Sequence, residues 1–138
     1  MLIKIIQAGF VSSLVWFIVG GILYMNPFVS GIYKKHKDSP GFREWKDTKK
    51  YLMSMYILGT LIQCLFFAFV YAFIRPALPT NLITRTVAFA LILVVVKIYP
   101  RFSDMWLQST YPFQLLLVEI VNGTIGSFLI SFVLSLMI

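Results

Sequence analysis

Four long apolar runs, separated by short polar stretches, organise the chain: residues 5–25, 51–74, 82–98 and 112–138. Each is close to or above the ~20 residues a helix needs to cross a hydrocarbon core. The apolar positions show no period-2 alternation, so helices are predicted and barrel strands are not. Three of the runs stop at a proline pair: Asn26-Pro27, Arg75-Pro76 and Tyr99-Pro100. Proline removes a backbone donor and disfavours helix in the residue before it. The pattern predicts an all-α integral membrane protein with four transmembrane helices, forming one domain over residues 1–138. The first run follows Lys4 and precedes no small-x-small cleavage site, so it is expected to be a mature span rather than a signal peptide.

Between the first two runs lies a polar segment, residues 26–50. Ser39-Pro40 has the form of a helix start, with serine at the cap and proline at the first helical position. The second helix is therefore expected to begin there, with Arg43 and Asp47 one turn apart and able to pair. Phe42 and Trp45 suit the headgroup layer. A second aromatic belt, including Tyr99, Phe102, Trp106 and Tyr111, surrounds the third connection, where Asp104 can pair with Arg101.

Composition sharpens this picture. Charged residues make up 12% and hydrophobic residues 59%, with a mean hydropathy of +0.87. A soluble domain carries about 25% charged residues, so soluble enzymes and nucleic-acid readers are excluded. The 12 Lys+Arg then read as topology signals rather than as a nucleic-acid footprint. Seven lie in the 26–50 segment, and Lys97 and Arg101 flank the third connection, making nine on one side. Lys4, Arg75 and Arg85 make three on the other. The positive-inside rule puts the nine in the cytoplasm and both termini outside, in a plasma (inner) membrane. Lys34, Lys35, Lys37, Lys46, Lys49 and Lys50 are candidate contacts for anionic lipid, each contributing about 1 kcal/mol near the surface. Arg85 and Lys97 are expected to snorkel to opposite headgroup layers.

Candidate chemistry is sparse. The one cysteine, Cys64, lies in an apolar run, and the one histidine, His36, lies among lysines. Neither belongs to a ligand cluster of the kind that holds zinc or haem, so no metal or cofactor is expected. A lipid-acting enzyme would need a nucleophile–base pair, for which the loops offer only His36 and Asp38, and no enzymatic activity is expected. Glu119 is the one acid well inside a span, and an intramembrane charge marks a partner or a pathway. Asn122 shares its face, and Lys97 approaches from the same side as its expected partner. Gln63 lies mid-span, placed with Tyr56 and Thr60 on one side. Trp16, also mid-span, needs an acceptor for its indole N–H.

In the fourth run Gly123, Ser127, Ser131 and Ser135 recur every fourth residue, widened by Gly126. Such a ribbon lets a neighbouring helix approach closely, in the same chain or another. Leu134 is placed on the lipid side. Residues 16–28, Trp-Phe-Ile-Val-Gly-Gly-Ile-Leu-Tyr-Met-Asn-Pro-Phe, together with the four-span layout, resemble an uncharacterised family of small four-span prokaryotic membrane proteins, a domain of unknown function. The resemblance implies the layout and transfers no site residue. Small multidrug exporters share the span number but carry their membrane carboxylate in the first span, where this chain has none. Two functions are expected. The first is a non-catalytic structural or accessory subunit that packs with other membrane subunits or with itself. The alternative is a small oligomeric transporter or channel using Glu119, Asn122, Lys97 and Gln63.

Overall fold

The computed structural model describes residues 1–138 and contains helices without strands. Four helices are long and apolar enough to cross a membrane: α1 (Leu2–Met25), α3 (Thr48–Ala77), α4 (Leu82–Gln108) and α5 (Phe113–Met137). A short helix, α2 (Pro27–Lys35), joins the first two. The chain is a multi-pass membrane protein of up-down topology. The two termini share one end of the bundle, and the lysine-rich segment occupies the other.

Asn26 performs the first reversal. Its Nδ2 donates to the Leu23 carbonyl while its Oδ1 accepts from Val29 N at 3.0 Å, so one side chain closes α1 and opens α2. Pro27 then occupies the first helical position, where a missing N–H costs nothing. Helix α3 does not start at Ser39 as expected. Residues 37–41 turn, and Asp47 is the cap, accepting from Lys49 N and Lys50 N at 3.0 and 3.3 Å. Duty as a cap takes Asp47 from Arg43, which instead lies over the Trp45 ring at 4.6 Å. Gly41 explains the early turn. A Cβ there would sit 3.3 Å from Tyr111 Cα, so the segment folds against the last connection instead of continuing as a helix.

The third span was expected to end at Ile98 but continues through Pro100 to Gln108. A π-turn at Val94–Ile98 precedes the proline. The wider turn makes room for a ring that would otherwise strike the carbonyl four residues back. A second π-turn lies at Ile57–Leu61 of α3.

Packing is intramolecular and close. Helices α1 and α5 form the central pair, α3 lies against α1, and α4 lies against α5. Small residues set these distances. A Cβ on Gly9 would lie 3.0 Å from Leu65 Cα, which marks the α1–α3 crossing, where Ala8, Ser12, Cys64 and Ala68 are fully buried. A Cβ on Gly126 would lie 2.6 Å from the Trp16 ring. Gly123, Ser127, Ser131 and Ser135 are all buried, so the ribbon of α5 packs within this chain. Leu134, placed on the lipid side by the sequence pattern, is fully buried with Ile130. The reason is that α5 has neighbours on two sides, so its buried stripe is wider than the serine ribbon. Helices α3 and α4 meet through long side chains, as in the edge-to-face pair Tyr71–Phe89 at 4.9 Å.

Candidate functional site

Polar side chains gather at the two ends of the bundle. At the lysine-rich end, Glu119 of α5 is 19% exposed and pairs with Arg101 of α4, Nη2 to Oε2 at 3.2 Å. The hydroxyl of Tyr111 donates to the same carboxylate at 3.4 Å. An aromatic chain extends from there: Phe42 lies 5.5 Å from Tyr111, Tyr33 5.9 Å from Phe42, and Tyr24 6.3 Å from Tyr33. Asn122 is buried below this chain, and its Nδ2 has no hydrogen-bond partner. His36, at the end of α2, bonds to Gln114 at 3.0 Å. The cluster therefore joins α1, α2, α4, α5 and both connections on this side.

Burial raises the Tyr111 phenol to about 12, and the neighbouring Glu119 carboxylate acts in the same direction, because both disfavour a phenolate. Burial also raises the Tyr33 phenol, with Tyr111 and Glu119 contributing. Both phenols are neutral at physiological pH. Glu119 then meets one cation and one neutral donor, an arrangement that holds a carboxylate in place.

The expected partner of Glu119 was Lys97, and the structure corrects this. Lys97 points toward α3, with Nζ 5.5 Å from the Phe67 ring. The π-turn at Val94–Ile98 adds a residue to one turn and rotates the C-terminal part of α4 about its axis. Arg101 is thereby brought to the α5 side, and it is also taken from Asp104, its other expected partner. Gln63 does not join Glu119 either. The buried seam of α3 runs through Thr60, Cys64, Ala68 and Tyr71, and Gln63 stands about 100° round from Cys64. Its side chain is exposed on the outer face. Tyr56, expected beside it, turns inward to bond Ser13 of α1 at 3.1 Å. Of the four expected site residues, then, Glu119 and Asn122 share a site, and Lys97 and Gln63 lie elsewhere.

The opposite end holds a second network that sequence reasoning missed. Arg85 was expected to snorkel outward but is buried. It donates to the carbonyls of Thr80 and Ser135, both at 2.9 Å. The last carbonyls of a helix lack internal partners and carry the negative end of its dipole, so a guanidinium suits them. Tyr71 donates to Ser135 Oγ at 3.0 Å, tying α3 to the same point. No local signal connects positions 50 residues or more apart, so only the fold brings these groups together. Trp16 makes no hydrogen bond to meet the expectation for its indole. Its ring instead fills the space left by Gly126.

The six candidate lipid-contacting lysines, Lys34, Lys35, Lys37, Lys46, Lys49 and Lys50, are all exposed at one end of the bundle. No family model, curated protein or solved structure matches the chain.

Proposed function

We propose that this chain is a non-catalytic structural subunit of a membrane assembly, seated in the plasma (inner) membrane with both termini outside. The observation that carries the reading is the fate of its membrane charges. Glu119 is engaged by Arg101 and Tyr111, and Arg85 by the end of α5. Each clamps several helices together, which is what a rigid scaffold requires. The exposed lysines beside α2 form a basic collar that suits anionic headgroups on the cytoplasmic side. The likeness of residues 16–28 to small four-span prokaryotic proteins fits the same reading and adds no activity. The partners are other membrane subunits or further copies of the chain.

The test is to extract the protein from its own membrane in polymer-bounded lipid discs and weigh the particles. Particles holding two or more protein chains in fixed ratio are expected. Discs holding a single chain would overturn the proposal. A pH-linked ion flux in liposomes that Glu119→Gln abolishes without disturbing assembly would replace it with the transporter reading.

A further inference from the structure

The outer surface of the bundle is almost wholly apolar, with one exception at depth. Gln63 is exposed and makes no hydrogen bond within the chain. It stands midway between Lys50 and Arg75, roughly 18–20 Å of helix from each. That places its amide near the middle of a ~30 Å hydrocarbon layer. Gln7 and Thr84, also exposed, lie within two turns of a helix start, where headgroups and water supply partners. At the midplane neither is present, and an amide without a partner costs several kcal/mol in hydrocarbon. Gly59, one turn away on the same helix, would meet only the Met55 side chain if it carried a Cβ. The gap beside the amide is covered only by the Met55 thioether, a flexible group that can swing aside for another helix.

We propose that this face of α3, centred on Gln63 and Gly59, is where a second copy of the chain docks. The inference rests on the reading of the chain as an assembly subunit and names the surface and the partner. Copies inserted in the same orientation place their own Gln63 at the same depth on the same face. A two-fold axis along the membrane normal then brings amide to amide. A carboxamide is both donor and acceptor, so two of them satisfy each other reciprocally. A foreign subunit would need a matching polar group at that depth, whereas a second copy carries one by construction. Phe66 and Val70, exposed one and two turns along the same side, add apolar area to the contact.

The test uses the full chain in its own membrane, with Cys64→Ala removing the one native thiol. Phe66→Cys, one turn from Gln63, should form a disulfide-linked species of twice the monomer mass on mild oxidation. Val95→Cys, similarly exposed on α4, should not. In liposome energy-transfer dilution, Gln63→Leu should weaken self-association roughly tenfold or more, since two reciprocal bonds are lost. Gly59→Leu should weaken it too while leaving the monomer folded, because it meets only a flexible Met55 side chain. Linkage through Val95→Cys instead of Phe66→Cys, or unchanged association of Gln63→Leu, overturns the proposal. Linkage of Phe66→Cys to a different polypeptide overturns the second copy but leaves the subunit reading standing. Single-chain particles for the wild type overturn both.

Discussion

Removing either partner of the Glu119–Arg101 pair should have unequal effects. The groups are 3.2 Å apart, with Arg101 64% exposed and Glu119 19% exposed. Coulomb's law at an effective dielectric of 20 gives about 5 kcal/mol at that distance. Screening at the exposed guanidinium brings the net value toward the ~1 kcal/mol of surface pairs. Glu119→Gln keeps a carbonyl oxygen for both Tyr111 and Arg101 and leaves behind a cation that is already wet. Its cost should be below about 1 kcal/mol. Arg101→Met leaves a carboxylate that is mostly shielded from water, with only Tyr111 as donor, and should cost about 1–3 kcal/mol. The double variant should recover at least half of that loss, because an uncompensated charge is removed. Lys97→Met combined with Glu119→Gln should show no coupling, since Lys97 faces Phe67. The assay is reversible unfolding by SDS in mixed micelles, followed by tryptophan fluorescence. Greater destabilisation by Glu119→Gln than by Arg101→Met, or coupling of Glu119 to Lys97 rather than to Arg101, would overturn the assignment of this pair.

Five further outcomes are expected. Gly126→Ala should lower the melting temperature, costing about 1–3 kcal/mol as overpacking against the rigid Trp16 ring. Gly21→Ala, with nothing within 4 Å of its Cβ, should be neutral or stabilising by the same scan. Arg85→Gln should cost about 1–3 kcal/mol by losing charge-assisted bonds to Thr80 and Ser135, with Arg85→Lys recovering only part in SDS unfolding. The Tyr111 phenol is raised from 10.0 to about 12, so its contribution is complete below pH 10 and is lost as pH rises toward 12. Alkaline melting curves of Tyr111→Phe should lack that part of the loss. Cysteines placed at Ser39 and Ser103 should resist an impermeant thiol reagent in intact cells while one at Thr80 reacts, and labelling of Ser39 would reverse the orientation.

Much of the architecture was legible in the residues, because hydropathy over ~20 positions is a property of composition and needs no tertiary partner. The four spans, the Asn26-Pro27 break and the small-residue ribbon of α5 all appear in the structure. The ends were legible only where the stop was local. Pro100 reads as a terminator, yet the preceding π-turn carries α4 past it to Gln108. The Ser39-Pro40 start signal yields to Asp47, because Gly41 lets the segment pack on Tyr111.

Two members of the candidate site, Glu119 and Asn122, were legible, but their partners were not. Glu119 stood out by depth alone, which sequence spacing supplies. Its partner depends on the rotation of α4 about its own axis, and the extra residue of a π-turn decides that rotation. The same holds for Gln63 and Leu134, whose neighbours in the chain suggested the opposite faces. Which side of an apolar helix turns inward is set by the two or three helices packed against it. A helix that is apolar all round carries no stripe to announce the choice. The Arg85–Ser135–Tyr71 network joins three helices through positions 50 and 64 residues apart, and its chemistry exists only once α3, α4 and α5 are side by side.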